Sequence, residues 1–281
     1  MAIGSAPLGL FNTYATLAAV KERAAITSTL LDSEMWMTLH LASRLVDRSC
    51  NRHFFILLAS RAFDVNNIHR ISVPDLTVVT AIREDRDGDP VYEATRDSTD
   101  YLLWPANAKP ESVNGALYNA ILADPQGVRP DFPTGLRRVQ ITGEWGFWKV
   151  SRDSGTTLNQ GGPLSAGVTA AIVADGTAIA AGHTLLLESE QMYVREVVAN
   201  VATVERGVNG TAEVTHVDGI TVSVCQYPAP IIEATTLIAA RLWKRKDVPL
   251  ADGLNVDSST SDSDISTLLD PYKKIPLGVV A

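Results

Sequence analysis

Apolar side chains recur at helical spacing between residues 13 and 52, and from His53 onward they recur at every second position. After Met35, the residues Leu39, Ala42 and Val46 follow at i+4, i+7 and i+11, while Arg44, Asp47, Arg48 and Asn51 fall on the other side. This pattern predicts one amphipathic helix. Asp32 or Ser33 stands where a cap is needed for its free N–H groups, and Glu34 suits the positive end of its dipole. Tyr14 to Arg23 predicts a shorter helix, set apart by the β-branched run Ile26, Thr27 and Thr29. The two-residue period then predicts strands over Phe55 to Phe63, Ile71 to Arg83, Val91 to Thr95 and Tyr101 to Trp104. Asp87-Gly88 marks a hairpin turn, and residues 105 to 134, rich in Pro, Asn and Gly, read as a long surface excursion. The run Val139 to Phe147 reads as a strand ending in a Gly-Trp-Gly turn.

Residues 155 to 163 read as a flexible entry linker. Beyond it, Val168 to Ala174, His183 to Leu187, Gln191 to Val198, Ala202 to Glu205 and Ile220 to Gln226 are five strand-like runs between Gly, Asp or Asn turns, as in a small all-β barrel or sandwich. Pro230 then opens a helix, where its missing N–H costs nothing. Over Ile231 to Trp243 only Glu233 and Arg241 are charged, about 80° apart around the axis. Such a helix needs cover on several sides, from its own domain and from a neighbouring subunit. The run Asp252 to Asp264, rich in Ser and Asp, predicts a flexible tail, with Leu268, Leu269 and Tyr272 placed to anchor it on a partner.

The expected class is α+β: N-terminal helices, a central small β region and a C-terminal helix form a core, with an all-β barrel or sandwich inserted. The expected domains are 1–153 for the first part of the core, 154–229 for the insert, 230–250 for the closing helix and 251–281 for a flexible arm.

A chain of 281 residues with 46% hydrophobic content is long and apolar enough to bury a core. Cys50 and Cys225 lie far apart, which argues against a disulfide framework. No apolar window is long enough to span a membrane, and the first ten residues lack the basic start of a secretion signal. The net charge of −8 is spread without a basic face, which disfavours tight binding to nucleic-acid phosphates.

Catalytic and metal chemistry find little support. Asp85, Asp87 and Asp89 have the spacing of a calcium loop, but its sixth position is Pro90 and its twelfth Arg96, where Gly and a bidentate Glu are needed. A solvated hairpin tip is the expectation. His40, His53, His69, His183 and His216 stand singly, and neither a nucleophile elbow nor a phosphate loop is present. Cys50 lies between Arg48 and Arg52 without a partner base, so a buried inert thiol is expected. Arg241, Lys244, Arg245 and Lys246 either complement a helix dipole or form a docking patch for an acidic surface. Arg206-Gly207-Val208-Asn209-Gly210-Thr211 reads as a tight turn rather than a ligand loop. No catalytic residue, metal or cofactor is assigned.

Several short motifs follow one another along the chain: Ala42-Ser43-Arg44-Leu45-Val46-Asp47, Cys50-Asn51-Arg52-His53-Phe54, Val73-Pro74-Asp75-Leu76, Asp100-Tyr101, Thr142-Gly143-Glu144-Trp145-Gly146, and the stretch from Pro230 to Arg245. In this order and spacing the chain resembles the head-to-tail connector (adaptor, or head-completion) proteins of tailed bacteriophages, over residues 13–153 and 230–272. The inserted segment, with Glu190-Gln191-Met192-Tyr193-Val194 and the Arg206 to Thr211 motif, resembles small β modules of phage structural proteins. The shortest adaptors lack it.

The resemblance implies a virion protein of the neck, assembled in the host cytoplasm, that forms a dodecameric ring beneath the portal. Such a ring extends the DNA channel, passes double-stranded DNA without holding it, and gives the stopper or tail-completion protein its platform; no membrane is involved. Portal docking maps onto Arg241, Lys244, Arg245, Lys246, Leu268, Leu269 and Tyr272. Contacts between subunits map onto Met35, Leu39, Ala42, Val46, Ile231, Ile238 and Leu242, and a lumen loop onto Glu84, Asp85, Asp87 and Asp89. A stopper or tail-completion protein of the same neck is the alternative. A β-rich adhesin or carbohydrate-binding protein is more remote, because Tyr193 and Tyr227 are the insert's only aromatic residues.

Overall fold

A computed structural model describes residues 4–112, 115–245 and 263–274. It corrects the expected class. The chain is mostly β, built on two six-stranded antiparallel sheets, and its helices are a minor part rather than the body of a core. Alternation carries far more of the chain than the helical period does. Strand β2 alone runs for 15 residues, from Arg70 to Glu84.

The chain divides into two compact units: residues 54–150, and residues 1–53 together with 151–281. The first unit holds β1 (Leu57–Val65), β2, β3 (Ala94–Arg96), β4 (Tyr101–Trp104), β5 (Tyr118–Ala123) and β6 (Gly135–Trp145), in the order β1-β6-β2-β5-β4 with β3 on β2. Strand β5 lies within the stretch expected to be a surface excursion. Its Ala120 and Ile121 are fully buried, so the Pro- and Gly-rich flanks are loops around an inner strand.

The Gly143-Glu144-Trp145-Gly146 stretch ends β6. A Cβ on Gly143 would lie 2.3 Å from the carbonyl oxygen of Val78, and one on Gly146, at φ +150°, would lie 2.1 Å from that of Phe55. Between them the buried Trp145 donates from Nε1 to Ala59 O at 2.8 Å and lies under the Arg61 guanidinium, 4.5 Å from the ring centroid. Because both glycines face backbone that cannot swing aside, Gly143→Ala and Gly146→Ala are each expected to cost about 1–3 kcal/mol, read as a lower denaturation midpoint.

In the second unit, β7 (Ser151–Thr157), β8 (Ala170–Ile172), β9 (Thr184–Leu187), β10 (Glu190–Val198), β11 (Val201–Glu205) and β12 (Thr221–Cys225) follow the order β7-β12-β9-β10-β11-β8. An antiparallel bridge between Leu158 and Val173 brings the two outer strands together, and Asn159 N donates to Ile172 O at 2.9 Å. The sheet thereby closes into a barrel, which leaves few unpaired edge groups. Strand β7 replaces the start of the expected linker. Gly155, at φ +83°, sits at a bulge opposite Val222 and Ser223, and the inward-facing Thr156 and Leu158 are buried.

Helices α1 (Leu17–Ala24), α2 (Asp32–Cys50), α3 (Ala229–Arg245) and α4 (Ser263–Leu269) complete this unit, and α3 packs on the other three. Asp32 does not cap α2: its Oδ1 accepts from Lys21 Nζ at 2.6 Å and its Oδ2 from Gly4 N at 2.6 Å. Lys21 is fully buried. Lys21→Met would leave the Asp32 carboxylate buried without its cation, and we expect a loss of about 3–5 kcal/mol in chemical denaturation. No helix among the described residues is long and apolar enough to cross a membrane.

Candidate assembly surfaces

The four residues expected in a lumen loop separate into two pairs. Glu84 and Asp85 are buried, whereas Asp87 and Asp89 are exposed. Strand alternation explains Glu84: two residues after the inward-facing Ile82, its side chain must also point inward. There its Oε1 meets Arg96 Nε at 2.6 Å and its Oε2 meets Arg86 Nε at 2.7 Å. Arg96 also donates to the carbonyls of Asp100 (2.9 Å), Arg129 (2.6 Å) and Asp131, and stacks 4.2 Å from the Phe132 ring centroid. One buried guanidinium thus fastens the loop around residues 124–132 to the sheet.

Asp85, Asp87, Asp89 and Glu93 have ligand oxygens within 4.8 Å of one another, near enough to share a cation. All four already accept protein hydrogen bonds. Asp85 takes Gly88 N at 2.6 Å and Arg138 at 3.1 Å, Asp87 takes Asp89 N, Asp89 takes Val91 N at 2.9 Å, and Glu93 takes Arg86 N. The geometry is that of a structured hairpin tip. In the same unit a cleft of about 470 Å³ is lined by Thr77, Lys109, Pro110, Glu111, Ser112 and Tyr118. Its Glu111 is paired with Lys149 at 3.0 Å, and Lys149 with Glu144 at 2.9 Å.

In the barrel, the turn from Arg206 to Thr211 proves to be a structural knot. Gly207, Asn209 and Gly210 all have positive φ. The buried Asn209 bonds Asn12 Oδ1 at 2.9 Å and Gln191 Oε1 at 2.8 Å, while Thr211 Oγ1 accepts from Gln191 N and donates to Val208 O. Every N–H of Arg206 is used: Nε and Nη2 on the Glu190 carboxylate at 2.7 and 2.9 Å, and the remainder on the carbonyls of Ser165, Val168 and Val214. Glu190 further accepts from Gly207 N, Val214 N and His216 Nε2, all at 2.9–3.0 Å. Burial alone would raise the Glu190 pKa, but Arg206, Val214 N–H, His216 and Gly207 N–H together hold it down at about 2.

No sequence motif marks this constellation. The sign of it in the sequence is parity: Glu190 shares its strand face with Met192 and Val194, both buried, so a carboxylate there requires buried partners.

In the helical layer, Met35, Leu39, Ala42, Val46, Ile231 and Ile238 are all 0–1% exposed within a single chain, and Leu242 is half-buried. Their surface is taken up by contacts among α1, α2, α3 and α4, leaving those six side chains no area to offer a second copy. The opposite side of α2 is the exposed one, with Met37 and Leu41 about half exposed and Leu30 just before the helix almost fully so.

Of the expected docking residues, Arg241 is paired with Asp264 at 2.5 Å and Leu269 is buried; Leu268, Tyr272 and Arg245 are half-buried, and Lys244 is exposed. Lys246 lies outside the described residues. Helix α4 thus covers α3 from within the chain, and Lys274 N donates to Cys50 O at 2.9 Å. Burial pushes the Cys50 thiol up to about 11, as fits an inert side chain. Burial followed by the Arg152 charge lowers His183 to about 4, and its Nδ1 accepts from Ala180 N. Tyr14 donates to Asp47, whose carboxyl is raised to about 6 by burial, against the lowering effect of Arg44 and Tyr14.

No protein-family model matches the chain, and no curated protein matches it. One chain in the solved structure described as "Neck of empty GTA particle computed with C6 symmetry" is similar at a TM-score of 0.44 and 11% identity, over 99% of this chain and 98% of its own. A likeness of that strength decides neither fold nor role.

Proposed function

We propose that this chain is a structural, non-catalytic subunit of the neck of a tailed phage or phage-like particle. In this reading it acts as a head-to-tail adaptor: it forms a ring beneath the portal, extends the DNA channel and carries the stopper or tail. The observation that carries the reading is the ordered set of motifs from Ala42 to Arg245. Two features are consistent with it. The buried ionisable groups of both β modules, Glu84 with Arg96 and Glu190 with Arg206 and His216, are engaged in holding loops. The net charge of −8, repeated around a ring, would repel a passing polyanion rather than retain it.

The core-facing stripe of α2 and its partners on α3 are occupied inside the chain, so contacts between subunits must use other surfaces. A heterologous ring needs two different ones. The test is electron microscopy of the purified chain alone and mixed with the portal protein of its particle. A monomer or loose oligomer alone and a ring on the portal is the expected result. Particles in which the labelled chain occupies no position at the neck would overturn the proposal.

A further inference from the structure

Beside the barrel, residues 163–170 run antiparallel to residues 212–218, joined by the Leu164–His216 bridge and by Ala166 N donating to Thr215 Oγ1. This ribbon is almost wholly exposed, yet it presents valines: Val217 is 63% exposed, and Val168 and Val214 are more than a third exposed. The exposed charged side chains on and beside the ribbon are acidic, Glu188, Glu213 and Asp218, with the buried Arg206 beneath them 3.9 Å from Glu213. The imbalance holds for the whole module, since residues 151–228 contain three basic and eight acidic side chains. Of the three cations, Arg206 is buried and fully used, Arg195 faces Glu205 at 3.7 Å, and Arg152 lies at the start of β7, the end of that strand away from Leu158.

The ribbon is also held rigidly. Arg206 grips the carbonyls of Ser165 and Val168 on one side and of Val214 on the other, Glu190 takes Val214 N, and His216 is clamped between Glu188 at 2.8 Å and Glu190 at 2.9 Å. A surface ordered in advance loses little entropy on binding. Apolar tips inside an acidic rim complement a partner that is itself apolar and basic.

We propose that this valine ribbon is a docking surface for a partner protein segment that alternates apolar and cationic side chains. The proposal rests on the neck reading only for its setting, because the ribbon would bind such a segment whatever particle it served.

The test uses the full chain and a fluorescent decapeptide of alternating Lys and Val, with a Glu–Val decapeptide as the counterpart. Lys–Val binding that weakens with salt, and no Glu–Val binding, is expected. Glu213→Gln with Asp218→Asn, which keep the acceptor oxygens, and separately Val217→Ser, should each weaken it about tenfold. Glu196→Gln, elsewhere on the barrel, should leave it unchanged, with all variants melting as the parent does. Equal binding of both peptides, or of parent and ribbon variants, overturns the proposal. Self-association of the parent that Val217→Ser abolishes also overturns it, by assigning the ribbon to a second copy. None of these outcomes bears on whether the chain resides at the neck, which the microscopy decides separately.

Discussion

Replacing Arg206 by Ala is expected to cost about 3–5 kcal/mol, because it strands the Glu190 carboxylate in the barrel without its cation. Five hydrogen bonds disappear with the guanidinium, and three of them hold the carbonyls of the 163–168 and 213–216 segments. Hydrogen exchange should therefore rise first in those segments. Chemical denaturation gives the global figure, and a change below about 1 kcal/mol would mean that the network is not what holds the ribbon.

The same network sets an acid limit. The Glu190 pKa is held near 2 in the folded chain, against 4.5 for the free side chain. A depressed carboxylate stabilises the fold above its unfolded pKa, and that contribution is lost as pH falls from about 4.5 towards 2. At neutral pH it amounts to roughly 3 kcal/mol. Acid unfolding of the parent should fall in this window. Glu190→Gln should be less stable at pH 7, and the difference from the parent should narrow as the pH approaches 2.

Arg96→Ala is expected to have a somewhat smaller effect in the other unit, about 2–3 kcal/mol, because it leaves buried carbonyls without a donor. Glu84 would keep Arg86, which is partly exposed, but the carbonyls of Asp100, Arg129 and Asp131 would lose their common donor, and the Phe132 ring its cation. Limited proteolysis distinguishes this variant from a general loss of stability: cleavage should appear between Asp124 and Asp131 before any site in the sheet. An Arg96→Lys variant keeps the charge but offers three donors from one point, so it should recover only part of the loss.

Most strands were legible in the sequence because alternation is a local signal. The runs placed at Ile71 to Arg83, Tyr101 to Trp104, His183 to Leu187 and Ile220 to Gln226 lie within one or two residues of β2, β4, β9 and β12. Strands were missed where glycine and proline mask the period. Strand β5 is hidden between loops, and β7 carries a bulge at Gly155 that breaks the count of two. The balance between the classes was misjudged for a different reason. The helical period at the two ends of the chain points to a helical core, whereas the extent of sheet depends on pairings between segments far apart, which no window displays.

The candidate surfaces were less legible than the fold. Met35, Leu39, Ala42 and Val46 were recognised as one apolar stripe, but a stripe does not say whether its cover comes from the same chain or another; here α3 supplies it. The buried pairs Glu84–Arg96 and Glu190–Arg206 are hard to read from the sequence because they join residues 12 and 16 positions apart. Parity within each strand would have placed both carboxylates inside.

The knot between Asn12 and Asn209 has a consequence in time. These two amides lie 197 residues apart, and Gly9 N and Ala6 N likewise reach Glu205 and Arg195. During synthesis at about 5–20 residues per second, the leading residues of the chain wait on the order of 10–40 s for the turn that secures them. The stretch from 54 to 150, one compact unit, is translated in full during that interval. Ribosome-bound chains halted near residue 200 should therefore protect this stretch from protease while the first dozen residues are still open to attack.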